Sequence, residues 1–289
     1  MKDMMDFIQQ GGTDDEVDFL PILPEEDSAD SKKIDIPQIL PLLPLRNTIL
    51  FPGVVLPITV GRDKSILAVK EAYKANKLIG VVGQIDASIE EPEFKDIYRV
   101  GTVAQILRMI KMPDGSTTAI IQGRNRFMAN DLLQSEPFIK ATIEVLHDVM
   151  PVNDKEFEAS MMSVKELAGH IIKLNPQIPS EASIVLKNIN NPITLTHFIS
   201  SNLNIAIAEK QALLELADMK ERIRFVLEHL NKEIQVLEMK NQIQGKVRQE
   251  IDKQQRDYFL SQQLKTIQDE LGMNSSDKDV QRLREKAEK

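Results

Sequence analysis

The groups that could do chemistry in this sequence are scattered. Gly245-Lys246 supplies the glycine–lysine pair of a phosphate-cradling loop, but the upstream glycine and the following hydroxyl are missing. Such a loop needs both, one for close backbone approach and one for the metal ion. No Gly-x-Ser-x-Gly nucleophile elbow occurs. Ser163 and Lys165 are two apart, and side chains two apart on a helix diverge, so they form no dyad. The four histidines, His147, His170, His197 and His229, never pair at a spacing of four. A metal site would need carboxylates from elsewhere. His170 and His197 are expected at the edges of a helix bundle, and Glu90-Glu91 reads as a solvated loop pair. This leaves no catalytic residue, no cofactor-binding residue and no metal ligand to assign.

What remains is binding. Lys246, Arg248, Lys253 and Arg256 are interleaved with Glu250, Asp252 and Asp257, and the chain has three tyrosines and no tryptophan. Nucleic-acid binding needs a basic face with stacking aromatics, so DNA is not expected as a partner for this segment. Twelve methionines are present, with Met109 and Met112 beside a turn at Pro113-Asp114-Gly115-Ser116. Flexible, polarizable methionine suits promiscuous apolar contact, which makes those two candidate contacts for unfolded chains. Tyr258, Phe259 and Leu260 are three large consecutive side chains, more than one helix seam needs, and are candidate partner contacts.

The positions of these residues depend on the elements that carry them. The net charge is −8, of which residues 1–33 hold −7 in ten acids and three lysines. That acidic stretch, with its single apolar run Phe19-Leu20-Pro21-Ile22-Leu23-Pro24, cannot repay its ordering entropy and is expected to be a disordered tail. The body is almost neutral. There is no cysteine, which removes disulfides and thiolate metal sites and suits a reducing compartment. No apolar run reaches the roughly 18 residues of a membrane span, and Met1 opens no signal peptide. The expectation is a cytoplasmic protein with no membrane partner.

Order is expected from Ile34. Leu40 to Leu45 carries two prolines and reads as an edge strand. Phe51-Pro52-Gly53 is a turn, and Val54 to Val60 is a strand. A helix is expected over Asp63 to Ala75, with Ile66, Val69 and Tyr73 on its inner face and Asn76 at its end. Leu78 to Gln84 reads as a buried strand. Val100 to Met112 and Thr117 to Gly123 form a hairpin across the proline–glycine turn. Phe127 to Leu133 and Phe138 to Leu146 supply two more strands. Residues 34–150 thus predict a small, mostly antiparallel, barrel-like β domain.

From Asn153 the period becomes helical, with Phe157, Met161, Val164, Ala168 and Ile171 on one face. Asn175-Pro176 stops that helix and Ser180 caps the next. Asn191 with Pro192 opens a third, in which Leu195, Phe198 and Ile199 point one way. A short helix follows around Ala208 to Leu214. Residues 151–217 are therefore a helical bundle, and the fold class is α+β.

The remainder is dominated by one very long helix, 218–272. Asp218 is its cap, Glu221 sits at the capping-box position and Gly272 is a natural stop. Such a helix spans roughly 80 Å. Ile223, Leu227, Leu230, Ile234 and Leu237 form a seam with alternating spacings of four and three. Leu260, Leu264, Ile267 and Leu271 repeat it. Both ends are therefore expected to be docked. Between them Ile243, Val247 and Ile251 are surrounded by charge and Gly245 interrupts them, so a hinge is expected at Gly245. Asn274-Ser275-Ser276-Asp277 reads as a loop, and 273–289 as the start of a further helical segment. The chain stops inside that pattern, which predicts a piece of a longer protein.

Several of these stretches resemble one family. Leu42-Leu43-Pro44-Leu45-Arg46-Asn47 followed by Phe51-Pro52-Gly53 resembles the opening of the N-terminal domain of Lon-type ATP-dependent proteases, and Val60-Gly61-Arg62-Asp63-Lys64-Ser65-Ile66 continues it. Val100-Gly101-Thr102-Val103-Ala104 and Pro113-Asp114-Gly115 are similar to that domain's central hairpin. Gln255 to Gly272 is similar to the family's Arg-Glu-Tyr-Tyr-Leu-x-Glu-Gln-Leu-Lys run, with Asp257 and Phe259 as departures. The resemblance covers about residues 36–272. It implies a PUA-like β domain followed by helices, and a role in substrate recognition and assembly. It further implies a homohexameric serine protease that uses ATP and magnesium, and unfolded or damaged proteins as partners. The ATPase and serine–lysine motifs of the family lie downstream of the matched region, so no catalytic residue transfers. A free-standing adaptor built on the same β domain is the alternative reading.

Overall fold

The computed structural model describes residues 35–111, 117–179 and 181–271, with 280, 283–284 and 286–287 beyond them. The expectations for the acidic tail, for Met112 and its turn, for the Ser180 cap, for the Gly272 stop and for the 274–277 loop lie outside these residues. The described positions past 278 are helical. The chain divides into two compact units, one up to Ile234 and one from Gln235.

Six strands and one helix make the first part: β1 (Ile39–Leu45), β2 (Val55–Val60), α1 (Asp63–Lys74), β3 (Leu78–Gly83), β4 (Val100–Lys111), β5 (Thr117–Gln134) and β6 (Lys140–Val145). The strands form one sheet in the order β2-β5-β4-β3-β1-β6, and β5 also pairs with β6. The pairings therefore run in a circuit through β1, β3, β4, β5 and β6, with β2 attached to the first half of β5. The sheet is mixed: β1 and β3 are parallel, and the other pairs antiparallel. The expectation of a mostly antiparallel domain holds apart from that pair. Inside the circuit Leu40, Leu42, Leu78, Val103, Phe127 and Ala141 form the core.

Three strand and helix expectations need correction. β1 is not an edge strand. Ile39–Pro41 pairs with β6 and Leu42–Leu45 with β3. The two partners occupy successive halves, so each proline meets a partner on one side only, which is why two prolines are tolerated in an interior strand. Phe127 to Leu133 is not a separate strand. β5 runs on past Gly123, with a register shift against β4 at Val103/Ala104. A Cβ at Gly123 would run into the carbonyl oxygen of Phe51. The glycine thus marks a close crossing and bulge in a continuous strand. The inner face of α1 is Ser65, Ala68, Val69 and Ala72, while Tyr73 is exposed. Small side chains let the helix lie close to the sheet, and the larger tyrosine turns outward beneath the Lys77 ammonium. The chain leaves α1 through Lys77 at positive φ, with the Asn76 side chain accepting from the Leu78 N–H.

The helices follow the local signals closely. α2 (Lys155–Leu174) is capped by Asp154, whose carboxylate accepts from the N–H groups of Glu156 and Phe157. It buries Phe157, Val164, Ala168 and Ile171. α3 (Ala182–Asn188) comes next. α4 (Pro192–Asn202) has proline at its start, and the Asn191 side chain accepts from Ile193 and Thr194 N–H. α5 (Ile207–Glu215) leads into α6 (Met219–Glu270), a helix of 52 residues. The Asp218 carboxylate accepts from Lys220 N–H, as its capping role requires.

Candidate functional site

The candidate contact residues occupy exposed faces. Met109 is half-buried on the distal part of β4, where the strand becomes exposed from Leu107 onward. Tyr258, Phe259 and Leu260 on α6 are 67%, 61% and 51% exposed. Leu264, Ile267 and Leu271 are more than half exposed as well. Among the described residues none covers this seam, which fits the expectation that Tyr258, Phe259 and Leu260 serve as contacts for a partner. Ile243, Val247 and Ile251 are exposed, as their charged surroundings predict. Gly245 lies within a continuous helix, and a Cβ there would meet nothing.

The near end of α6 is built differently. Met219, Arg222, Ile223, Val226, Leu230 and Ile234 are all buried. The backbone of its root is stitched to the segment after β6: Val149 N–H donates to Ala217, and Met219 N–H donates to the Val149 carbonyl. Beneath this stitch lies a polar junction that sequence reading missed. The Asp148 carboxylate accepts from Arg126 of β5 and from Arg222 of α6, both at 2.7 Å. Arg126 also donates to the Leu214 carbonyl at 2.8 Å, where α5 ends. Arg222 reaches the Leu216 carbonyl. Gln211 donates to the Val100 carbonyl of β4 and to Glu215. One carboxylate therefore fastens the sheet, the post-sheet segment and the long helix at a single point.

His197 completes the cluster. It is 1% exposed, not at a bundle edge, because α4 turns it inward beside Phe51, with ring centroids 5.9 Å apart. His170, by contrast, is exposed. His197 Nε2 lies 3.9 Å from Asp148 Oδ2, beyond hydrogen-bond reach, and neither ring nitrogen has a partner among the described residues. Burial lowers its pKa to about 4, assisted by the two guanidinium charges and opposed by Asp148. The ring is therefore neutral at pH 7. Burial works against ionisation of Asp148, yet its contacts to His197, Arg222 and Arg126 hold it well below the usual carboxylate range. Of these contacts, the two guanidinium bonds have sound geometry and carry the effect. Two buried arginines sharing one carboxylate form a structural fastening. Among the described residues no set of three His, Asp or Glu side chains is placed to hold a metal ion. Nor is any helix long and apolar enough to cross a membrane.

A cleft of about 630 Å³ opens between the 48–57 segment and the helices, lined by Leu50, Val54, Ile171, Phe198 and Leu230. Glu233 also lines it. Burial raises its pKa, and Lys210 acts against that.

Comparison with known proteins adds the family. The profile of the ATP-dependent protease La (LON) substrate-binding domain matches residues 39–232. A Lon protease of Cytophaga hutchinsonii is 52% identical over 94% of this chain, and one of Flavobacterium johnsoniae is 48% identical over 95%. The chain spans about a third of the length of these relatives, 34% in both cases. The N-terminal domain of a Mycobacterium avium complex Lon protease shares the fold, with a TM-score of 0.55 at 22% identity. That match covers 67% of this chain and 98% of that one.

Proposed function

Since the chain belongs to the Lon protease family and contains its substrate-binding domain, we propose that it is the non-catalytic part of an ATP-dependent serine protease that engages unfolded or damaged polypeptides. The observation that carries this reading is the profile match over residues 39–232. ATP and magnesium act elsewhere in the full-length protein, which works as a cytoplasmic homohexamer. The circuit of strand pairings supports a PUA-like barrel for 34–150. A bundle over 151–217 and a connecting helix over 218–272 belong to the same proposal.

Exposed apolar groups are what an unfolded chain offers and seeks. Met109 on the distal hairpin is one proposed contact, and Met112 continues that stretch in the sequence. Tyr258, Phe259 and Leu260 are proposed to meet either substrate or a neighbouring part of the assembled protein. The test is photo-crosslinking of a reduced, unfolded protein to this chain. Labels on the β4–β5 hairpin or on the first unit support the reading. Failure to retain any unfolded protein, or ATP turnover by the purified chain, overturns it.

A further inference from the structure

The pairing circuit leaves one opening. β6 covers only Ile39–Pro41 of β1, with the Leu42 N–H as its last contact, while Leu42–Leu45 pairs with β3 on the other side. Among the described residues β2 pairs with β5 alone. Among the described residues two strand edges are thus without strand partners, and both contribute to a cleft of about 450 Å³, lined among others by Pro44, Leu45, Arg46, Leu56, Pro57 and Arg62.

The phase of each ladder shows what these edges present. The Val54 carbonyl accepts from Gly123 N–H. By the alternation of an antiparallel ladder, Leu56, Ile58 and Val60 then bond toward β5, and Val55, Pro57 and Thr59 turn their backbone groups to the cleft. In β1 the Leu45 carbonyl accepts from Gln84 N–H, whereas Leu42 donates away from β3. Leu43 and Leu45 therefore bond to β3, and Pro44 faces the cleft. Both prolines sit in the outward phase, where their missing donors cost the sheet nothing. The result is an acceptor-rich opening: carbonyls of Pro44, Val55, Pro57 and Thr59, against N–H groups of Val55 and Thr59 alone. Edge prolines discourage pairing with a complete strand edge. They leave acceptors for a flexible chain that brings free N–H groups.

Charge selects the guest further. Arg46 donates to the Ile89 carbonyl at 3.2 Å and Arg62 to Gln84 Oε1 at 2.8 Å, both neutral acceptors. Among the described residues neither guanidinium has an ion-pair partner. Of the nearby acids, Glu91 bonds Lys64 at 3.1 Å, and Glu90 and Glu91 act on Arg62 only at longer range. Two like charges beside an open cleft favour an incoming carboxylate.

We propose that this opening takes an extended stretch of unfolded polypeptide as an added strand. Its N–H groups would meet the outward carbonyls of β2 and β1, and a carboxylate of the guest would meet Arg46 and Arg62. The proposal rests on the substrate-engaging reading above and adds the mode of capture. The probe is a short, fluorescein-labelled Val/Ser peptide with a free C-terminal carboxylate, titrated with this chain and read by anisotropy. N-methylation of one alternate set of its amides is expected to weaken binding roughly tenfold, as for one or two lost backbone hydrogen bonds, while the other set is tolerated. Arg46→Gln, Arg62→Gln and C-terminal amidation are each expected to weaken it several-fold, with both variants still folded at the assay temperature by their thermal midpoints. Equal binding of both N-methylated forms, or indifference to the two arginine variants, overturns the added-strand mode. If the chain still retains a reduced, unfolded protein, the substrate reading survives that result. A chain that binds neither probe nor unfolded protein loses both.

Discussion

The two ends of α6 carry the same spacing of apolar residues and have opposite fates. Ile223, Leu230 and Ile234 are buried, and Leu260, Leu264 and Ile267 are exposed. The difference is not in the seam. The near end has Arg222 aimed at Asp148 and a backbone stitch to Val149, so its register against the sheet and the short helices is fixed by directional bonds. Among the described residues the far end shows no buried arginine and no backbone stitch of this kind. An apolar repeat states that a helix can dock; whether it does depends on a partner surface that the repeat does not encode.

The contrast is sharpened most by removing the fastening. Asp148→Ala would leave two buried guanidiniums without their shared carboxylate, and should cost about 3–5 kcal/mol in urea denaturation. In the same assay Leu230→Ala should cost about 2–5 kcal/mol, whereas Leu264→Ala should stay within about 0.5 kcal/mol. Equal losses at Leu230 and Leu264 would mean that the far end is docked in solution.

A second prediction uses pH. His197 has a folded pKa lowered to about 4 against an ordinary 6.5, so between these values the unfolded chain binds more protons than the folded one. Stability should therefore be highest above pH 6.5 and fall as pH drops toward 4. Asp148, also lowered, adds its own loss at still lower pH, below the ordinary carboxylate range. His197→Asn should flatten the thermal midpoint between pH 6.5 and 4 relative to the parent chain. An unchanged slope would show that other groups set the acid limb.

The smallest effect concerns Gly245, proposed as a hinge. Amides around it should exchange faster with deuterium than those around Leu230. Gly245→Ala should slow that exchange by helix propensity alone, about 1 kcal/mol. Equal, strong protection at both places would rule the hinge out.

Much of the fold was legible locally. Caps at Asn191 and Asp218 and the buried run Leu78–Gly83 are each set by a few neighbouring residues. They could be read because capping, turn chemistry and side-chain period act over four or five positions. The misread elements share another trait. The prolines of β1 suggest an edge strand, and the residues between Gly123 and Phe127 suggest a break in β5. In both cases a partner distant in sequence settled the matter, β3 and β6 for the first and Phe51 for the second. The chemistry at the junction was less legible still. Arg126, Asp148, His197 and Arg222 carry no common spacing and lie on four different segments.

By itself, then, the sequence determined the helices and most of the strands, the family resemblance, and the surplus of apolar residues at Tyr258, Phe259 and Leu260. Only the tertiary structure decided which charges are buried, which half of the long helix is held, and which two strand edges stay open. The physical reason is range. Helix caps and strand periods are satisfied within one segment, whereas buried guanidiniums are tolerated only where the whole fold brings them to a shared carboxylate. Arg126 and Arg222, 22 and 74 residues from Asp148, arrive there through strand pairing and helix packing.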